Sequence, residues 1–155
     1  MSLSIANGGR PYDGTAVYSR VPFIPSYPHS DNVNGIEFII IKISTCLNLT
    51  IIGVYRSPKV PISQLCSALR DVVCDDASEE SVIIREFNGN WLCETDRPLY
   101  VMIIYNSYVQ LISDYTTDNK TLIDHIYCKT TPQSVNSGIL KTYFSDHKAI
   151  WVSYK

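Results

Sequence analysis

A strand-rich mixed α/β domain, α+β in character rather than a regular strand–helix alternation, is predicted by three features of the sequence. Several Ile- and Val-rich runs have strand length, among them 36–43 and 49–55. A single segment, 61–73, switches to helical spacing, with Ile62, Leu65, Leu69, Val72 and Val73 recurring every three or four residues. Finally Val82, Ile83 and Ile84 form a short continuous apolar run, as expected of a strand buried on both faces. Directly after it stand Glu86, Asn88 and Gly89.

Taken in order, Gly8-Gly9-Arg10-Pro11 and Asp13-Gly14 are turn chemistry leading into a strand at 15–19. Pro22, Pro25 and Pro28 make the next stretch a loop or at best a sheet edge. Two buried strands follow at 36–43 and 49–55, with 44–48 short enough for a hairpin connection. Pro61 opens the amphipathic helix over 61–73. The central strand starts at Ser81, and 98–105 reads as a second helix. Short strands are expected at 109–112, 121–127 and 148–154, with the polar 114–120 as a loop. No repeat, low-complexity tract or linker divides the chain, so residues 1–155 read as one domain.

Composition narrows the function classes. At 45% hydrophobic and 18% charged residues the chain is neither a disordered tail nor a membrane protein. Its longest apolar run, 99–105, is far too short to span a bilayer, and residues 1–9 lack the basic start and apolar core of a secretory signal. A net charge of −2 provides no global pull on nucleic acid, so phosphate binding would need a local cluster or a metal. Five cysteines (Cys46, Cys66, Cys74, Cys93, Cys128), with no Cys-x-x-Cys pair, argue against a zinc site or disulfide framework. They point to reduced thiols and an intracellular setting, the nucleus included.

Three polar clusters carry the chemistry. In an extended chain Glu86 and Asn88 project to one side, at the carboxyl end of a central strand, where α/β sheets place ligands; the alternative is a strand simply running into a polar loop. Asp124 lies inside the apolar Thr121-Leu-Ile-Asp-His-Ile-Tyr127, and a buried carboxylate is costly without a partner. His125 faces the other way and reads as a surface or packing histidine. In Ser145-Asp146-His147, His147 is an imidazole suited to phosphate chemistry, Asp124 a carboxylate to orient it, and Asp146 a metal ligand. Against these stand Asp124 as a turn cap and Ser145-Asp146 as the start of a strand.

The order of these motifs resembles the endonuclease/exonuclease/phosphatase, or deoxyribonuclease I-like, family, whose signatures are Gly-Asp-Phe-Asn, an Ile/Leu-Asp strand and a closing Ser-Asp-His. Thr15-Ala-Val-Tyr-Ser-Arg resembles the family's Gly-Gly-Val-Ala-Ile-Tyr strand, and Gly53-Val-Tyr-Arg-Ser-Pro58 resembles its Tyr-Arg-Pro-Pro turn. Gln110-Leu-Ile with Thr116-Thr117 looks like the stretch before the Ile-Asp strand, and these features point to the endonuclease domains of non-LTR retrotransposons. The resemblance implies a partial four-layer α/β/β/α sandwich and a metal-dependent phosphodiesterase acting on DNA. It implies magnesium, or manganese, as the cofactor. Under it His147 contacts the phosphate and assists water attack with Asp124 hydrogen-bonded to it. Glu86 orients or deprotonates the water, Asn88 holds a phosphate oxygen, Tyr55 donates to the phosphate and Asp146 sits at the metal edge. Arg56 and Lys59 meet the nucleic-acid backbone, or else belong to a solvated loop.

Two departures qualify the resemblance. The family's leading portion, with an asparagine and a metal-binding glutamate, has no counterpart before Thr15. The expectation is therefore an N-terminally truncated domain with weak metal binding and an open sheet, to be covered by the missing segment or a partner chain. Gly-Asp-Phe-Asn has also become Arg85-Glu86-Phe87-Asn88, which replaces glycine with a long side chain and lengthens the acid by one methylene. Three readings remain: a retroelement-type DNA endonuclease, a catalytically inactive remnant that binds nucleic acid or protein, and a phosphatase acting on a phosphorylated small molecule or lipid.

Overall fold

The computed structural model describes residues 2–6, 15–19, 22–25, 35–43, 49–75, 80–94, 103, 106–129 and 135–154. Ten strands and one long helix are assigned there: β1 (Ser2–Ala6), β2 (Thr15–Ser19), β3 (Ile24–Pro25), β4 (Ile36–Ile43), β5 (Leu49–Arg56), α1 (Ile62–Asp75), β6 (Glu80–Glu86), β7 (Val109–Gln110), β8 (Asp124–Cys128), β9 (Val135–Leu140) and β10 (Ala149–Tyr154). A six-stranded sheet runs β3-β4-β5-β6-β8-β7, and β1-β2 and β9-β10 form two-stranded antiparallel ribbons. The fold is α+β and dominated by sheet.

Alternation along the strands sorts the core into two sides. Ile52, Val54, Ile83 and Tyr127 face α1, whose Leu65, Leu69, Val72 and Val73 are buried against them. The intervening Leu49, Val82, Ile126 and Cys128 face the other way, and Ile139, Ile150, Val152 and Tyr154 of the β9–β10 ribbon pack over them. β6 is therefore covered on both faces, as its continuous apolar run predicts. It is the only strand that pairs in parallel with β5 among the described residues (Gly53 opposite Ile84), and it runs antiparallel to β8. The α1 connection between β5 and β6 makes that parallel crossover.

Gly35, with φ of 87°, immediately precedes β4, and a Cβ there would come 2.9 Å from the Val60 side chain. Ser57 N–H donates to the Gly35 carbonyl at 2.8 Å, so this close approach fixes the turn that follows β5.

The strands at 15–19, 36–43 and 49–55 and the helix at 61–73 lie where the sequence predicts them, within a residue or two. β1 and β9 have no counterpart among the strands that the sequence predicts. β1 carries a short alternation, Leu3 and Ile5, while β9 (Val-Asn-Ser-Gly-Ile-Leu) has little strand propensity and is held by its pairing with β10. β8 begins at Asp124 rather than Thr121. The helix expected over 98–105 lies outside the described residues except for Ile103, which is helical and buried. No helix among the described residues is long and apolar enough to cross a membrane.

Candidate active site at the rim of the sheet

Glu86 is the last residue of β6 and Asp124 the first of β8, and the antiparallel register sets them directly opposite each other. Both belong to the alternation that includes Val82, Ile84, Ile126 and Cys128, so they extend the inter-sheet face beyond the last apolar layer. His147 reaches the same place from the loop before β10. Its Nδ1–H donates to Asp124 Oδ2 at 2.9 Å. Glu86, Asp124 and His147 each offer a ligand atom, all within 4.8 Å of one another.

Loop 114–121 fixes this meeting. Thr116 is fully buried, and its Oγ1 accepts the N–H groups of Ile123 and Asp124, both at 3.2 Å. Lys148 N–H donates to the Thr116 carbonyl at 2.8 Å, Thr117 bridges to His147, and Asp118 N–H donates to the Asp146 carbonyl at 3.0 Å. One threonine therefore ties the strand that bears the acid to the loop that bears the imidazole. Gln110 Oε1 supports the same strand by accepting Ile126 N–H at 3.2 Å. Neither side chain carries a chemical signal of its own in the sequence, where both stand out only as part of the family resemblance.

Burial disfavours charge on His147, but the carboxylates of Asp124, which also accepts its hydrogen bond, Glu86 and Asp146 outweigh it, and its pKa lies above the usual histidine value. Because Nδ1–H is committed to Asp124, Nε2 is the atom that can exchange a proton with a reacting group. Two carboxylates and an imidazole at this spacing fit a divalent cation, and the hard oxygen donors suit magnesium or manganese. Asp146 is exposed beside His147 and lies outside the 4.8 Å group.

Tyr55 is half-buried, two residues beyond Gly53 in β5 as Glu86 is two beyond Ile84 in β6, so alternation puts it on the same face and level. Lys59 is exposed in the turn after β5. Asn88 does not continue the extended chain beside Glu86. β6 stops at Glu86, Asn88 has φ of 48°, and its carboxamide nitrogen donates to the Arg56 carbonyl at 2.7 Å. Asparagine tolerates this left-handed backbone, at a cost that the surrounding structure must offset.

Arg56 differs from both sequence expectations, a backbone contact or a solvated loop. It is 5% exposed, and its guanidinium donates to the carbonyls of Phe87 (2.5 Å), Val60 and Asn88. A planar cation that donates to three main-chain carbonyls is a brace between the β5 and β6 loops. The side chain of Arg85 lies outside the described residues.

His125 takes the packing role. It is fully buried, its Nε2–H donates to the carbonyls of Gly89 (2.9 Å) and Leu122 (3.1 Å), and Nδ1 accepts from the Tyr127 hydroxyl at 2.5 Å. Carbonyls only accept, so this network fixes the neutral Nε2–H tautomer. Burial pushes its pKa down to about 4, against smaller opposing contributions from the two carbonyls.

No protein-family model matches the chain, and no curated protein matches it. Solved structures do. The endonuclease domain of TRAS1, a telomere-specific non-LTR retrotransposon, superposes with a TM-score of 0.75 at 15% identity, covering 97% of this chain and 76% of that one. The 3′ phosphatase NExo from Neisseria, bound to a product DNA hairpin, gives 0.67 at 13% identity over 99% and 79%. An endonuclease/exonuclease/phosphatase family protein from Leptotrichia buccalis gives 0.63 at 14% over 99% and 71%. At these identities the likeness establishes the fold, which is deoxyribonuclease I-like.

Proposed function

We propose that this chain is a divalent-metal-dependent phosphodiesterase that hydrolyses DNA. The observation that carries the reading is the Asp124–His147 hydrogen bond at 2.9 Å, with Glu86 beside it at the carboxyl end of β6. The structural neighbours, the TRAS1 endonuclease domain and NExo with its DNA product among them, support DNA as the substrate class.

In this reading Asp124 holds the His147 ring in one tautomer and stabilises its protonated form, while Nε2 exchanges a proton with the reacting water or phosphate. Glu86, beside this pair, orients the water, and Tyr55, on the same face, donates to a phosphate oxygen. Glu86 would hold a magnesium or manganese ion with Asp146 at its edge, and that ion supplies positive charge to the scissile phosphate and the leaving oxygen.

Supercoiled plasmid incubated with magnesium tests the reading. Nicking that EDTA stops and that His147→Ala abolishes is the expected result; equal background in both proteins excludes it. One observation favours a second reading, an inactive domain that still binds DNA: the Asn88 carboxamide is turned onto the Arg56 main chain. Magnesium-independent DNA retention without nicking would select it.

A further inference from the structure

Tyr143 and Phe144 are 93% and 91% exposed, the most exposed large hydrophobic side chains among the described residues. They occur together, immediately before Ser145-Asp146-His147. Rings of this size ordinarily bury most of their surface, so two adjacent ones left in water, four and three residues before His147, call for an occupant.

The loop that carries them is built to hold its shape. Thr142 Oγ1 donates to the His147 carbonyl and, at 3.3 Å, to the Ser145 carbonyl; His147 N–H donates to Ser145 Oγ at 3.0 Å. Thr117 and Asp118 pin the far end of the turn through His147 and Asp146. The two rings are therefore presented from a closed turn whose other end carries the imidazole. Phe144 is three residues from His147, at most about 11 Å along the chain. Lys141, exposed, precedes the pair.

We propose that Tyr143 and Phe144 form a stacking platform for an unpaired nucleobase next to the phosphate held at His147. This rests on the phosphodiesterase reading and names the substrate feature that reading leaves open. Every base presents a π-face, so the platform binds without sequence preference, and the Lys141 ammonium adds attraction to the backbone. Glu86 and Asp146 make the phosphate side of the site acidic, which leaves stacking as a contact that their repulsion does not weaken.

Fluorescence anisotropy with a labelled twelve-nucleotide oligothymidylate, and with an abasic oligomer of the same length, both in EDTA, separates base stacking from backbone attraction. The expected result is tighter binding of the thymidylate. The double variant Tyr143→Ala/Phe144→Ala should lose about five- to a hundredfold in affinity for it. The variant should leave the abasic oligomer unchanged, and Phe144→Trp should retain thymidylate binding. Equal affinity of the native protein for both oligomers overturns the proposal. So does loss of phosphatidylcholine-vesicle binding in the double variant without any change in oligonucleotide affinity, which would make the pair a lipid contact. Because cleavage is blocked in EDTA, base-dependent binding by a protein that never nicks plasmid would refute the catalytic reading alone. Nicking without base-dependent binding would refute the platform alone.

Discussion

Arg56 and Asn88 bond to each other in both directions: the guanidinium Nη2 donates to the Asn88 carbonyl, and the Asn88 carboxamide nitrogen donates to the Arg56 carbonyl at 2.7 Å. The clasp joins the end of β5 to the residues that follow β6, so it sets where both Tyr55 and Glu86 stand. It also lets Asn88 keep its left-handed backbone.

Removing the guanidinium leaves three main-chain carbonyls without their donor. Arg56→Ala is therefore expected to lower stability by about 1.5–3 kcal/mol, the range for hydrogen bonds to a charged group, read as a shift of the urea midpoint. Arg56→Lys should recover only part of this, since an ammonium cannot span three carbonyls in one plane. A midpoint unchanged in Arg56→Ala would mean the brace contributes nothing.

His125 makes stability depend on pH in a defined window. Its folded pKa is about 4 and its unfolded value about 6.5, so between them the unfolded chain binds the extra proton. The neutral ring's contribution is fully present above 6.5 and is lost as pH falls from there towards 4. His147 has the opposite sign: its raised folded pKa contributes stability below 6.5, lost as pH rises through the folded value. Chemical denaturation at a series of pH values should show the first slope flattened in His125→Gln, whose carboxamide can both donate and accept. If the slope between 4 and 6.5 persists unchanged, another group is its source.

Parts of this site were legible in the sequence because they violate a local rule. Asp124 is a carboxylate in an apolar run, and that run needed a partner; His147 is the partner, 23 residues away. For His125 alternation indicates only the side opposite Asp124, which leaves a surface or a packing histidine open, and the fold buries it. Arg56 was not legible: an arginine after a strand is ordinarily solvated, and only the fold reveals three carbonyls converging on it. Asn88 departs from the predicted position beside Glu86 for a related reason. Spacing of two implies a shared face only while the chain stays extended, and the strand stops at Glu86.

In the proposed hydrolysis the Asp124–His147 pair sets the pH dependence. With Nε2 as the base, kcat/KM should rise with pH through a pKa above 6.5, because the surrounding carboxylates overcome the effect of burial. Asp124→Asn should move that limb to lower pH and slow the reaction by about 10²–10⁴-fold, the usual worth of a positioned acid–base group. A limb that stays in place in Asp124→Asn would remove Asp124 from this role.

The Glu86 carboxylate ends β6 within 4.8 Å of ligand atoms of Asp124 and His147, and in the proposed reaction it is the carboxylate that would hold the cation. Titration with manganese, following the loss of the free-ion electron paramagnetic resonance signal, reads this without any turnover. Glu86→Gln should weaken binding by at least about tenfold, the lower end of what losing even an outer partner of a metal site costs. Asp146→Asn should weaken it less, since Asp146 is exposed and lies outside the group that converges within 4.8 Å. If the two variants rank the other way, the ion is held from the Ser145-Asp146 loop, and Glu86 acts on water alone.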